Sequence, residues 1–228
     1  MIGKFFIFCF LRTASASTAD CAMSSPAPSK HAIRNEMLVR RKQLQEGEWL
    51  EKSSMVALRA SCMEQVVDAE HILLYLSMKG SREVSTEELA VLLAETGKKL
   101  CVPVVRNDRL VPAAYQPGEK LVRGRFGQPE PERFRADDAG SIQVVIMPLV
   151  AVDSNGVRLG YGRGYFDRFL SGLAVSGVFP CRIGLAFSLQ FLPALPGDPW
   201  DEPLDYVVLE NGVMPFTKRT PNNGSLAD

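Results

Sequence analysis

Histidine is almost missing from this 228-residue chain: His31 and His71 are the only two, and the five cysteines (Cys9, Cys21, Cys62, Cys101, Cys181) include no CxxC pair. A structural zinc set or a disulfide framework is therefore not expected. No Ser-His or Cys-His nucleophile pair is visible either. Cys101 and Cys181 lie in apolar surroundings and read as small core residues. Charge excess is missing too. Twenty-six Lys and Arg balance twenty-six Asp and Glu, so no global field draws the chain onto nucleic acid or an anionic membrane, and any anion site has to be local. The apolar run Phe5 to Leu11 is too short to span a bilayer. No membrane or nucleic-acid partner is expected.

What is present is enough apolar residue to build a sizeable core, 46% of the chain, and the length suits one domain. Lys4 and Arg12 flank the short apolar run, with Ala, Ser and Thr following and no acid before Asp20. Residues 1–29 therefore read as a leader and linker with weak presequence character, which makes the expected location cytoplasmic or mitochondrial. A single domain is expected over 30–217, and a flexible tail over 218–228. The default oligomeric state is a monomer.

Lys30 to Gln45 reads as a helix, and Ser53 to Asp68 as a second one. The continuous apolar run His71 to Ser77 suits a strand buried on both faces of a parallel sheet. Ser85 with Glu88 forms a capping-box pattern for a helix that Gly97 stops, and Leu100 to Val105 is the next strand. Residues 106–140 carry Pro, Gly and charge without a sustained apolar period and read as a long excursion. Further strands are expected at Ile142 to Met147, Arg182 to Phe187 and Asp205 to Leu209, with a helix opening at Tyr165 and an Asn211-Gly212 hairpin leading into Val213 to Phe216. Strands alternating with helices predict an α/β fold: a three-layer α/β/α sandwich around a mainly parallel, Rossmann-like sheet. Such sheets bind ligands beyond the carboxyl ends of their strands. The loops after Ser77, Val105, Met147 and Phe187 are the places to search.

The most unusual stretch runs from Asp153 to Asp167. In it Gly160, Gly162 and Gly164 alternate with Tyr161 and Arg163 just before the helix opened by Tyr165. Glycine lets backbone amides approach a ligand closely, and a helix N-terminus adds unpaired N–H groups, so phosphate is the natural guest. Arg158 and Arg163 would supply charge. Neither GxGxxG nor GxxxxGK[ST] occurs, which excludes the dinucleotide and Walker loops. Asp167 closes the stretch, and Asp201 lies in a second loop, Gly197-Asp-Pro-Trp-Asp-Glu-Pro. One or two carboxylates suffice for magnesium when phosphates supply the remaining oxygens. Lys30, Arg34 and Arg41 share one helical face that suits a polyphosphate clamp.

Together these residues resemble the 5-formyltetrahydrofolate cyclo-ligase family over about Lys30 to Leu209. The strongest element is Val145-Ile-Met-Pro148 through Arg158-Leu-Gly-Tyr-Gly-Arg-Gly-Tyr-Phe-Asp167. Lys30-x-x-x-Arg34, Leu76-Ser-Met78 with Glu83-Val-Ser-Thr86, Phe126-Gly-Gln-Pro-Glu130-Pro131 and Asp201-Glu-Pro-Leu-Asp205 support it. The resemblance implies that ATP is a co-substrate bound by Lys30, Arg34, Arg158, Gly160, Gly162, Arg163, Gly164, Tyr165 and Phe166. It also implies that Asp167 and Asp201 hold Mg2+, that Met78, Glu83, Ser85, Phe126 and Tyr165 meet the folate, and that Lys30, Arg34, Arg158 and Tyr165 take part in catalysis. The implied reaction is ATP-dependent closure of 5-formyltetrahydrofolate to 5,10-methenyltetrahydrofolate, releasing ADP and phosphate.

The chain departs from the family pattern at Leu149, Val152, Phe166 and Trp200. Ser85 stands where the family pattern has an acid, and Gly80-Ser-Arg82 lengthens the loop before Glu83, so that either Glu83 takes the pterin-binding role or the affinity for substrate is altered. Two other readings accompany the cyclo-ligase: a relative acting on another acylated amine, and a non-catalytic folate or nucleotide binder. Asp167→Asn is expected to remove most magnesium-dependent turnover with a modest effect on folding.

Overall fold

The computed structural model describes residues 28–216. The leader, except Pro28 and Ser29, lies outside them, as do the cellular location argued from it and the 218–228 tail. In chain order the elements are α1 (Lys30–Lys42), α2 (Glu46–Ser61), α3 (Glu64–Asp68), β1 (His71–Leu74), α4 (Glu87–Glu95), β2 (Lys99–Arg106), β3 (Arg109–Tyr115), β4 (Leu121–Arg123) and β5 (Pro129–Pro131). They continue with β6 (Val144–Pro148), β7 (Ala151–Asp153), β8 (Arg158–Leu159), α5 (Tyr165–Val175), β9 (Cys181–Leu185), β10 (Phe191–Leu192), β11 (Tyr206–Leu209) and β12 (Gly212–Pro215). Among the described residues no helix is long and apolar enough to cross a membrane.

A seven-stranded sheet in the order β12-β11-β9-β6-β1-β2-β3 forms the middle layer, with the hairpin partners β3 and β12 antiparallel at its two edges and the five strands between them parallel. Strand side chains alternate between its faces. Ile72, Leu74, Val144, Ile146, Ile183 and Val208 face a cluster with Trp49 and Val56 of α2 and Leu89 and Leu93 of α4. Leu73, Val145, Met147 and Val207 point the other way, toward Leu170 of α5. Each such aliphatic side chain contributes about 1.5–3 kcal/mol on full burial, so the period-2 alternation of apolar residues is what holds helices to both faces. A third cluster joins Ile33 and Met37 of α1 to Val150, Ala151 and Leu159 around the small sheet β10-β7-β8. That contact sets α1 beside the glycine-rich stretch.

Local details differ from the sequence reading. The second helix is two: α2 begins seven residues earlier, at Glu46, with Glu46 and Glu48 in its first turn, and extended Met63 (ψ 135°) separates it from α3. The expected capping box is not formed. Thr86, not Ser85, precedes α4; its Oγ1 accepts from the Ser77 N–H, and the Ser85 N–H donates to Ser53 Oγ. The 106–140 stretch, read as an excursion, carries three short strands, β3 to β5, joined by turns. Asn107 (φ +49°) and Asp108 (φ +59°) form the two-residue turn between β2 and β3, and β4 pairs with β5. Pro103, Pro112, Pro129 and Pro131 obscured these strands, and Pro112 is tolerated because β3 is an edge.

Candidate active site

A cavity of about 620 Å³ opens above the carboxyl ends of β1, β2 and β6, where Leu76, Met78, Val105 and Pro148 form part of its wall. The loop after Phe187 does not line it; instead Gln190 Nε2 from that loop donates to the carbonyls of Leu149 and Val150 and fixes the chain leaving β6. Its volume falls within the range of small-molecule sites.

Its polar end is built by α1, the glycine-rich stretch and the 197–202 loop. α1 starts at Ser29, whose hydroxyl accepts from the Ala32 N–H, so Lys30 and Arg34 project from its first two turns. Arg34 Nε donates to the Gly160 carbonyl (2.9 Å), and the guanidinium lies against Gly162. A Cβ at Gly162 would sit 3.3 Å from Arg34 Cζ, and its φ of +87° disfavours any other residue. Gly164 (φ +63°) turns the chain into α5. The first backbone N–H groups of α5 have no partner within the helix, a local positive end beside Arg163.

Opposite, Lys30 Nζ donates to Asp198 Oδ2 and Asp201 Oδ2, both at 2.6 Å. Partial burial opposes the charge on Lys30, but these two carboxylates outweigh it and raise the amine above its ordinary pKa. Arg158 Nη2 bonds Asp167 Oδ1 at 2.6 Å. Burial pulls the Arg158 guanidinium down, while Asp167, Asp201 and Glu202 favour its charged form; among the described residues its Nε has no hydrogen-bond partner. Asp167 Oδ1 and Asp201 Oδ2 are the oxygens engaged by hydrogen bonds, so each carboxylate presents a second oxygen to a ligand. An oxygen-only donor set beside a glycine-rich turn and a helix N-terminus fits a hard divalent cation such as Mg2+.

Apolar and aromatic side chains form the rest of the lining. Met78, Tyr75, Pro103 and Leu110 belong to it, and Phe126 packs on Tyr165 with ring centroids 5.7 Å apart. Arg163 and Arg125 lie over the Phe126 ring. Glu83 is also in the lining, and its Oε2 accepts from the Met78 N–H.

The structure thus places Lys30, Arg34, Met78, Glu83, Phe126, Arg158, Gly160, Gly162, Arg163, Gly164, Tyr165, Phe166, Asp167 and Asp201 around one cavity. Ser85 is not among its lining residues. Arg41 is corrected: it shares a face with Lys30 and Arg34 but is buried at 1% exposure beneath the cavity wall and is no polyphosphate clamp. Asp198 and Tyr161 line the site without having been singled out. Both stood inside conspicuous stretches, Asp198 in Gly197-Asp-Pro-Trp-Asp and Tyr161 between two glycines.

A cleft at the carboxyl edge of a parallel sheet, lined by Lys30, Arg34, Asp167 and Asp201 together with Phe126 and Tyr165, is the arrangement of an α/β enzyme. The chain belongs to the 5-formyltetrahydrofolate cyclo-ligase family, whose profile matches residues 26–210. The 5-formyltetrahydrofolate cyclo-ligase of Escherichia coli (strain K12) is 32% identical over 179 residues, covering 76% of this chain and 96% of the relative. That of Mycolicibacterium smegmatis is 30% identical over 188 residues, with 79% and 93% covered. The NMR structure of Aquifex aeolicus 5,10-methenyltetrahydrofolate synthetase superposes with a TM-score of 0.71 at 28% identity, over 87% of this chain and 99% of that one.

Proposed function

We propose that this enzyme closes 5-formyltetrahydrofolate to 5,10-methenyltetrahydrofolate in a reaction that consumes ATP, requires Mg2+ and releases ADP and phosphate. The observation that carries the reading is the convergence, in one cavity, of the Arg34-supported glycine cradle, the Asp167 and Asp201 carboxylates and the Phe126–Tyr165 aromatic pair. Residues 30–217 act as a single catalytic domain, monomeric in solution.

The triphosphate lies against Arg34, Arg163 and the N-terminus of α5, with Lys30 moving from its carboxylate partners to a phosphate oxygen. Asp167 and Asp201 would hold Mg2+, which supplies charge neutralisation of the phosphates when bound. Arg158 keeps Asp167 oriented. The pterin rests near Met78 and Phe126. The formyl oxygen then attacks the γ-phosphorus as ADP leaves. The substrate's ring-external nitrogen next attacks the activated formyl carbon, loses its proton, and expels phosphate to leave the methenyl bridge. Phosphoryl transfer of this kind depends on positioning and charge stabilisation rather than on a protein nucleophile, and among the described residues no His or Cys lines the cavity.

The test is the absorbance of the methenyl product formed from 5-formyltetrahydrofolate and Mg2+, with and without ATP. Product that grows only with ATP is the expected result. Binding of both ligands without product would favour a non-catalytic binder and sink the proposal.

A further inference from the structure

Beneath the cavity wall lies a chain of polar contacts that the reaction as described does not use. Arg41 donates from Nη2 to the Tyr161 hydroxyl (2.6 Å), and that hydroxyl donates to Glu83 Oε1 (2.5 Å). Glu83 Oε2 accepts from the Met78 N–H (2.6 Å). Arg41 also donates from Nε to the Ser81 carbonyl and from Nη1 to the Leu149 carbonyl. One guanidinium therefore ties together the lengthened loop after β1, the chain leaving β6 and the glycine-rich stretch. Arg82 lies over the Trp49 ring, and Trp49 Nε1 donates to the Glu83 carbonyl oxygen, so the loop is pinned at both the side chain and the backbone of Glu83.

Arg41 (1% exposed) and Glu83 (3%) are charged groups taken almost fully out of water, at a desolvation cost that apolar side chains of the same size would avoid. Of the four carboxylates that line the cavity among the described residues, Asp167, Asp198 and Asp201 are bound into the Lys30 and Arg158 cluster, and Glu83 stands apart from them, beside Tyr75 and Met78. Each of its oxygens has one protein donor and keeps a further lone pair. A carboxylate with one acceptor site left on each oxygen can take two adjacent N–H groups from one edge of a flat heterocycle, such as the aminopyrimidine edge of a pterin.

We propose that Arg41 and Tyr161 are positioning residues for folate recognition, holding at the cavity wall the Glu83 carboxylate that the folate reading sets against the pterin. This rests on the folate reading above. It also accounts for Ser85: the lengthened loop brings Glu83 into the cavity and leaves Ser85 outside it, where its N–H is used by Ser53.

The experiment measures KM for 5-formyltetrahydrofolate and for ATP separately, together with calorimetric affinity for 5-formyltetrahydrofolate without ATP, in Tyr161→Phe, Arg41→Lys, Glu83→Gln and the double variant Tyr161→Phe/Glu83→Gln. Tyr161→Phe is expected to raise the folate KM and Kd about tenfold, the effect of losing one hydrogen bond to a charged group, with the ATP KM changed less than about twofold. The double variant is expected to be no worse than Glu83→Gln. If Arg41→Lys fails to fold, Tyr161→Phe, which removes a single oxygen, decides the matter. A raised folate KM in Glu83→Gln beside an unchanged one in Tyr161→Phe overturns the relay alone. An unchanged folate Kd in Glu83→Gln overturns the pterin assignment as well, and additive effects in the double variant show that Tyr161 acts elsewhere.

Discussion

Asp167→Asn separates the two tasks that the structure gives one carboxylate. The sequence suggested a cleft residue whose replacement would affect folding modestly, but Asp167 is the ion-pair partner of Arg158, whose side chain is 5% exposed. Breaking a buried pair by removing one partner costs about 3–5 kcal/mol, mostly because the other charge is left unpaired. The asparagine substituted here keeps a neutral acceptor for Arg158 Nη2 and for the Glu202 N–H, and Asp201 and Glu202 still attract the guanidinium. We therefore expect a loss of about 2 kcal/mol, a fall in Tm of roughly 4–8 °C for a chain of this size. Magnesium-dependent turnover should fall by at least about a hundredfold, because a cation loses one of two anionic ligands. Calorimetric melting and the methenyl absorbance assay, run across a magnesium titration, read the two effects independently. An unchanged Tm would show that Asp201 and Glu202 suffice to balance Arg158, and unchanged turnover at low magnesium would remove Asp167 from the metal site.

Four further outcomes are expected. Gly162→Ala forces an L side chain to φ +87° and crowds Arg34 Cζ at 3.3 Å, costing about 1–2 kcal/mol and raising the ATP KM more than the folate KM in steady-state kinetics. Phe126→Ala removes the ring stacked on Tyr165, which should raise the folate KM by about three- to tenfold while melting stays near the wild type, since Phe126 is 38% exposed. Asp137 is partly buried, which opposes its ionisation, yet hydrogen bonds from Lys99 and the Asp138 N–H hold its carboxyl below the usual range. Its stabilising contribution is thus present above about pH 4 and lost as pH falls through the folded value, so Asp137→Asn should be less stable at pH 6 and show a shallower drop in urea midpoint between pH 5 and pH 3. Leu149→Ala should cost about 2–5 kcal/mol in urea unfolding, with both KM values near normal, because the contacts of Leu149 with the site run through its backbone carbonyl to Arg41 and Gln190.

What could be read in the sequence follows the range of the interactions concerned. The parallel core was legible because Ile72 to Leu74 and Val144 to Met147 announce burial on both faces within a single short run. The glycine-rich stretch was legible because a positive φ and a close approach by Arg34 leave glycine as the one residue that fits at Gly162. Strands β3 to β5 were not, because proline and charge mask an edge hairpin whose pairing partners, rather than its own pattern, hold it extended. Arg41 shows the same limit inside the site. Its spacing from Lys30 and Arg34 is that of a clamp on one helical face, and one turn of α1 decides between a phosphate ligand and a buried strut. Only the packing of Ile33 and Met37 against Val150, Ala151 and Leu159 tilts that turn beneath the cavity wall. There the same guanidinium finds Ser81, Leu149 and Tyr161, residues 40, 108 and 120 positions away along the chain. The departure at Leu149 has a comparable explanation: a Cβ at Gly184 of β9 would lie 2.6 Å from Leu204 Cδ1 and 2.7 Å from Leu149 Cδ2, so Leu149, the residue after β6, fills with Leu204 the space that the glycine leaves, and the three positions form one packing unit.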